Sequence, residues 1–404
     1  MANNNENKIL NVPHLRFPEF SGEWKKCIIQ DYGEVVTGNT PPTNNAEYYN
    51  NGSYLWASPA DLGINKNVTD TKTKLSLSGF KKTRNVPKGS VLVTCIGSTI
   101  GKMGMATETM SSNQQINSVV VNDKNNSDFV YYAICRAFPR YLSEVGVQAV
   151  PILSKSNFEK LPNYTTSRDE QNKIGYFLSL LDERIATQNK IIDKLQSLIS
   201  GLNDFLHLQV GGLSISFEEL GTSYSGLSGK SGDDFGKGKP YITYLNIYSN
   251  SIVNEEQVDY VVIGDNEKQN TLLYGDLLFT LSSETPDEVG IGAVYLGESD
   301  KYYLNSFCFG LHMTATNKVY SPYLAYLVSN SVFRKFIYPL AQGSTRFNLQ
   351  KNDFMKKKFL LPTFENQKEI ARTLNALSSK LETERKLLLN YQEQKQYLLG
   401  AMFI

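Results

Sequence analysis

Residues that bind metals or form disulfides are scarce in this 404-residue chain. Its 3 histidines (His14, His207, His312) and 4 cysteines (Cys27, Cys95, Cys135, Cys308) are widely dispersed, with no Cys-x-x-Cys pair. That spacing excludes a disulfide framework and offers no metal-ligand pattern. Such cysteines read as small buried hydrophobes in a reducing compartment. No apolar run approaches the ~20 residues of a membrane span. The opening MANNNENKIL lacks the basic-then-apolar order of a leader peptide. The expectation is a soluble, cytoplasmic protein with no membrane association and no metal.

A dominant charge is also missing. With 41 basic and 40 acidic residues the net charge is +1, which excludes a uniformly basic coat but not basic patches on one face. Catalytic signatures are equally sparse. Asn39-Thr-Pro41-Pro42-Thr43 lacks the aromatic residue with which adenine methyltransferases stack a flipped base, and reads as a turn. Phe235-Gly236-Lys-Gly238 and Gly290-Ile-Gly292 stand outside any strand–G-x-G-x-x-G–helix frame. Pro286-Asp287 and Glu298-Ser-Asp-Lys301 have the wrong spacing for a nuclease metal site. Ser, Cys and His never combine as a nucleophile with its base. The chain is expected to be non-catalytic.

What it does contain is an internal repeat. Asp169–Leu206 and Glu365–Phe403 align without a gap: Gln171 with Gln367, Ile174 with Ile370, Leu178 with Leu374, Leu181 with Leu377. In the first copy Ile174, Leu178, Leu181, Ile185, Gln188, Ile192 and Leu195 recur in alternating steps of four and three. In the second, Ile370, Leu374, Leu377, Leu381, Glu384 and Leu388 do the same and Tyr391 and Lys395 continue it. That is a heptad seam, and Gln188 and Glu384 are polar breaks at equivalent heights, suited to fixing register. Neither segment contains proline, so each is expected to be one helix of ~40 residues, roughly 60 Å long. Its apolar stripe needs a partner, and the copy is the nearest match.

The stretches before the helices repeat more loosely. Gly89–Thr94 corresponds to Gly275–Thr280, Ile116-Asn-Ser118 resembles Leu304-Asn-Ser306, and Leu153 and Phe158 match Leu349 and Phe354. Ser90–Ile96 and Leu277–Leu281 read as buried strands, Phe129–Arg136 and Pro322–Ser329 as helices. The expected fold is α+β: two similar mixed domains, 1–166 and 209–363, separated by two long antiparallel coiled-coil helices, 167–208 and 364–404, about a pseudo-two-fold. A doubled body of this kind suits a two-sided target such as duplex DNA.

Several motifs resemble the DNA specificity subunit of type I restriction–modification enzymes. They are the helix openings Glu170-Gln171-Asn-Lys-Ile174 and Glu365-Asn-Gln367-Lys-Glu-Ile370, the strand end Thr37-Gly38-Asn39-Thr40-Pro41, and Pro87–Val93 followed by Gly97-Ser-Thr-Ile-Gly101. The likeness covers nearly the whole chain. In the second half Gly226-Leu-Ser-Gly stands in place of the Thr-Pro form and Ser282-Ser-Glu-Thr in place of the Gly-Ser loop. The resemblance implies that each domain reads one half of a split, asymmetric double-stranded DNA target. It implies that the helices set the spacing and dock two modification subunits, and that restriction subunits join the complex. S-adenosylmethionine and ATP with Mg would belong to those partners, with no cofactor on this chain. A non-catalytic coiled-coil adaptor whose globular halves bind proteins is the competing reading.

For DNA, phosphate anchoring falls to Lys81, Lys82 and Arg84 in the first half and to Lys237 and Lys239 in the second, with a plain solvated surface as the alternative for each. Lys356–Lys358 form a third basic run near the helix base. Base readout falls to Ser98, Thr99, Lys102, Gln114 and Gln115, and to Ser282, Ser283, Thr285 and Arg346. Trp56 and Tyr244, at equivalent strand positions, read as core aromatics. Asp182, Arg184, Lys190 and Asp193 are expected to face outward, toward partner subunits or solvent.

Overall fold

The computed structural model describes residues 11–144 and 151–404. The first ten residues, on which the expectation about a leader peptide rests, lie outside them. Two compact units emerge, one of residues up to 191 together with 385–404, the other of 192–384. The two long helices, Arg168–Gln209 and Phe364–Met402, therefore each contribute residues to both units. No helix among the described residues is long and apolar enough to cross a membrane.

In the first unit a five-stranded sheet runs Gly33–Thr37, Ile116–Val121, Val91–Thr94, Met103–Ala106, Asn67–Val68 in spatial order, antiparallel except for the last pair. A second sheet of four short strands carries Trp56 on Tyr54–Ala57. Helix Ser127–Glu144 packs against the first sheet, with Phe129, Tyr132 and Tyr141 fully buried. The second unit repeats the plan. Its main sheet has the order Gly221–Ser225, Cys308–Met313, Leu277–Thr280, Gly292–Val294, and helix Ser321–Val328 covers it. In both units a strand after the entry segment pairs with the strand that feeds the long helix: Lys25–Ile28 with Pro162–Thr165, Gly212–Ile215 with Phe359–Pro362.

Small details repeat with the plan. Gly89 and Gly275 both sit at positive φ, 84° and 88°, ahead of equivalent strands. A side chain there would also press on Ser127 or Ser321 at the start of the covering helix. Gln171 and Gln367 are both buried, and each side-chain oxygen accepts a backbone N–H at the entry to that helix, from Asn126 and Tyr320 respectively, at 2.8 Å. Their amide nitrogens donate to the strand just left, at the carbonyls of Thr166 (2.9 Å) and Pro362 (2.8 Å). One side chain thus ties the long helix to both the sheet and the covering helix. This accounts for the glutamine in the repeated helix opening.

All of the named seam residues are buried or half-buried, with Gln188 4% and Glu384 7% exposed. In the first unit Ile174 and Leu178 share a core with Leu398, Leu399 and Met402. Asp182 pairs with Lys395 at 2.6 Å and the Arg184 Nε donates to the Tyr391 hydroxyl at 3.0 Å. The partner number falls as the helix advances, so these segments run in opposite directions. In the second unit Ile199, Leu202 and Leu206 pack on the core holding Ile370, Ala371 and Leu374.

Asp182 departs from the expectation of an outward-facing residue. Its side chain is 14% exposed and also accepts a hydrogen bond from the Tyr132 hydroxyl. The residue flanks the seam at Leu181, where charges pair across helices rather than face water. Nearby, Lys66 is buried between Asp128, Ser179 and the Tyr132 ring.

Candidate nucleic-acid interface

In the first unit the anticipated residues converge on one rim. Asn113 builds it: its side-chain oxygen accepts the Gln115 N–H at 2.8 Å, and its carbonyl accepts the Ile116 N–H at 3.0 Å. The side chain thereby mimics a backbone turn. The turn lifts Gln114 into solvent, where its oxygen accepts the Thr40 hydroxyl. The Gln115 amide donates to the Ile96 carbonyl at 3.3 Å, where the loop bearing Ser98 and Thr99 begins. Asn39 joins the basic stretch. Its oxygen accepts the Arg84 N–H at 2.7 Å and its amide donates to the Lys82 carbonyl at 3.0 Å, while the guanidinium of Arg84 donates to the Thr37 carbonyl at 2.9 Å. Lys81, Lys82, Arg84 and Ser98 are exposed or half-buried, as is Thr99.

Lys102 is exposed. Its methylenes lie along Gly63, where an added Cβ would come within 3.1 Å of its Cγ. Trp56 is a core aromatic, 7% exposed, yet its indole N–H donates to the Asn39 carbonyl at 3.1 Å and so supports the rim from below.

The second unit builds its rim on the same turn. The Asn305 side chain accepts the Phe307 N–H at 2.9 Å and its carbonyl accepts the Cys308 N–H at 3.0 Å. Asn305-Ser306-Phe307 is therefore the counterpart of Asn113-Gln114-Gln115, and the pairing of Ile116–Ser118 with Leu304–Ser306 read from sequence is displaced. Gly38 and Gly226 also correspond. Each donates its N–H to the residue opening the next strand, Ile116 at 3.0 Å and Cys308 at 3.2 Å. The strand end thus keeps its glycine even where the Thr-Pro after it is lost.

Beside Phe307 lies a cleft of about 340 Å³ lined by Tyr244, Tyr248, Ser282, Ser283, Glu288 and Arg346, among others. Tyr244 belongs to helix Tyr244–Ser249 rather than to a strand, and lies half-buried beside Tyr248, ring centroids 6.1 Å apart. Ser282 and Ser283, anticipated as base contacts, are only 4% and 8% exposed, on a strand paired with Phe347–Leu349. The Ser282 carbonyl accepts the Tyr244 hydroxyl at 2.7 Å, and the Ser283 hydroxyl donates to Glu288 at 3.1 Å. Thr285 is exposed and opens the short turn Pro286–Glu288. Arg346 is exposed, its guanidinium carbon 5.9 Å from the Phe307 ring centre. Lys237 and Lys239 are exposed on a bulged strand with Gly236 and Gly238 at φ 92° and 103°. Of the third basic run, Lys357 is tied to the Phe336 carbonyl at 2.8 Å, while Lys356 and Lys358 reach solvent.

Phe307, Tyr248 and Glu288 were not singled out from sequence, and Asn39, quoted there within a turn and a strand-end motif, was given no part in the site. The Tyr248 hydroxyl donates to Glu288 at 2.8 Å. With the Thr285 and Ser283 hydrogen bonds, it holds that carboxyl below the usual glutamate range. The link joins residues 40 positions apart, so no local pattern announces it. Only the Asn-x-x-β pattern at 113 and 305 offered a signal for the turns. Among the described residues no three His, Cys, Asp or Glu gather as a metal site. Burial pushes Cys27 and Cys135 up to about 11 and Cys95 to about 12, so these thiols are not thiolates at neutral pH.

The fold and the rims define paired α+β domains that present polar, basic and aromatic side chains on short turns. The model of the type I restriction modification DNA specificity domain matches residues 21–197 and again 220–391, and the chain belongs to that family. The specificity subunit of the type I restriction enzyme HindI from Haemophilus influenzae is 26% identical over 186 residues, which cover 44% of this chain and 40% of that protein. For the MjaIX specificity subunit from Methanocaldococcus jannaschii the figures are 30% over 188 residues, 43% and 42%. These matches span about two fifths of each relative. The MjaVIII specificity subunit from the same organism is 22% identical over 416 residues, covering 96% of this chain and 93% of its own. The crystal structure of a type I restriction–modification S subunit from M. genitalium superposes with a TM-score of 0.57 at 18% identity, over 97% of this chain and 99% of that one, and shares its fold.

Proposed function

We propose that this chain is the sequence-reading subunit of a type I restriction–modification enzyme, each unit reading one half of a bipartite, asymmetric site in duplex DNA. The observation that carries the reading is the match to the DNA specificity domain in both halves of the chain, joined to rims that share one turn but differ in side chains. Unit 1 presents Gln114 and Gln115 where unit 2 presents Ser306 and Phe307, so the half-sites differ. Lys81, Lys82, Arg84, Lys237 and Lys239 neutralise phosphates. Ser98, Thr99, Gln114, Gln115, Thr285 and Arg346 face base edges, glutamine being suited to adenine N6 and N7. Ser282 and Ser283 act from behind, shaping the cleft.

The long helices form an antiparallel coiled coil that sets the separation of the half-sites, with Gln188 and Glu384 fixing its register. Their outer faces dock two modification subunits, which bind S-adenosylmethionine and methylate adenine, and restriction subunits that use ATP and Mg join them. This chain directs the chemistry and performs none. The test is a mobility-shift assay of the full chain, with its methyltransferase subunits, on random duplex across a salt series. Binding that weakens steeply with salt is expected, and salt-independent binding or none would favour a protein adaptor.

A further inference from the structure

Resting on the proposed function, one feature of the second unit identifies the kind of base pair it reads. The cleft beside Phe307 has a cation on one wall and an anchored carboxylate on another. Arg346 leaves a tight turn in which Gly343, at φ 147°, lies so close to the Arg346 carbonyl that a Cβ would be 2.0 Å away. Its guanidinium rests near the Phe307 ring. Glu288 is fixed by donors on both oxygens, Tyr248 at 2.8 Å and Ser283 at 3.1 Å, with the Thr285 hydroxyl as a third, and one of its oxygens keeps a lone pair for a further donor. The cleft occupies the position that the Gln114–Gln115 turn holds in the first unit, because Phe307 sits on the equivalent turn.

In the major groove a G·C pair presents two acceptors on guanine, N7 and O6, beside a donor on cytosine, N4. An A·T pair opposes a carboxylate with the thymine O4 acceptor and offers adenine N6 as a donor toward the arginine. A donor fork and a carboxylate on separate walls complement the first pattern and clash with the second. We infer that the Arg346–Glu288 cleft reads one G·C base pair in the half-site of the second unit, Arg346 donating to guanine and Glu288 accepting from the cytosine amine. Tyr248 and Ser283 are positioning residues that hold the carboxylate.

Selection from a randomised duplex pool tests this with the full chain in complex with its methyltransferase subunits, comparing wild type, Arg346→Gln, Arg346→Lys and Glu288→Gln. At one G·C position of one half-site, Arg346→Gln is expected to shift preference to A·T, with guanine discrimination reduced roughly ten- to hundred-fold. Arg346→Lys keeps guanine there, and Glu288→Gln relaxes the same position. The other half-site stays unchanged and serves as the folding control. A uniform loss of affinity with an unchanged motif would make Arg346 a phosphate ligand and overturn the inference alone. Failure of the wild-type complex to select any bipartite sequence would overturn the functional reading as well.

Discussion

Breaking the Asp182–Lys395 pair gives a direct energetic test of how the helices are matched in the first unit. The side chains are 14% and 23% exposed and meet at 2.6 Å, between the solvated pairs worth about 0–1 kcal/mol and buried ones whose truncation costs about 3–5 kcal/mol. Asp182 has a second donor in the Tyr132 hydroxyl, so Lys395→Met does not strand it completely. Each single change, Asp182→Asn or Lys395→Met, is expected to cost roughly 2 kcal/mol, with a coupling of about 1–2 kcal/mol in the double-mutant cycle. Both tryptophans of the chain lie in this unit, Trp24 and Trp56, 2% and 7% exposed. Tryptophan fluorescence during urea unfolding therefore follows it selectively. Lys386, exposed on the same helix, is the control partner for Asp182 and should couple by less than about 0.5 kcal/mol. Equal coupling to Lys386 and Lys395, or none to either, would refute the antiparallel register.

Other outcomes concern the same packing and rims. Gly175→Ala places a Cβ 2.6 Å from Asn126 Oδ1 and 3.0 Å from the Phe129 nitrogen, whereas Gly201→Ala meets nothing within 4 Å. The first should destabilise despite better helix propensity, and the second should stabilise by about 0.8–1 kcal/mol, as read by thermal unfolding. His207 lies between the Asn203 carbonyl and the Tyr323 hydroxyl, each at 2.8 Å, and burial holds its pKa below the ordinary histidine value. The folded state then binds fewer protons than the unfolded one. Its contribution is complete above about pH 6.5 and is lost as pH falls, at up to about 1.4 kcal/mol per pH unit; hydrogen exchange in helix Ser321–Val328 should show this and His207→Gln should abolish it. Replacing Lys81, Lys82 and Arg84 by glutamine should weaken DNA binding equally for all sequences and flatten the log–log salt slope by roughly 0.9 for each phosphate no longer neutralised, measured by titration in a salt series.

Periodic features were legible in the sequence. The four–three spacing from Ile174 and from Ile370 located the burial stripe of both helices, because a helix must turn its apolar face inward. The repeated Gly89 and Gly275 marked equivalent strand starts, because their backbone needs positive φ. Features set by partners far along the chain were not legible. Asp182 points inward because Lys395 and Tyr132 meet it there, and no local spacing reveals that. The serines at 282 and 283 are polar but buried, since a strand from residues 347–349 covers them. Tyr244 follows a strand and looks like its continuation, yet the Thr243 side chain accepts the Asn246 N–H and starts a helix. The turns at Asn113 and Asn305 are equivalent through side-chain hydrogen bonds, which residue-by-residue similarity does not record.

The central claim is that each unit reads its own half of the target. Exchange of residues up to Pro162 for those of a relative, followed by genome-wide mapping of methylated adenine, tests it most directly. One half of the recognised sequence should change while the other half and the spacer stay as they were. A change in both halves, or in neither, would contradict it.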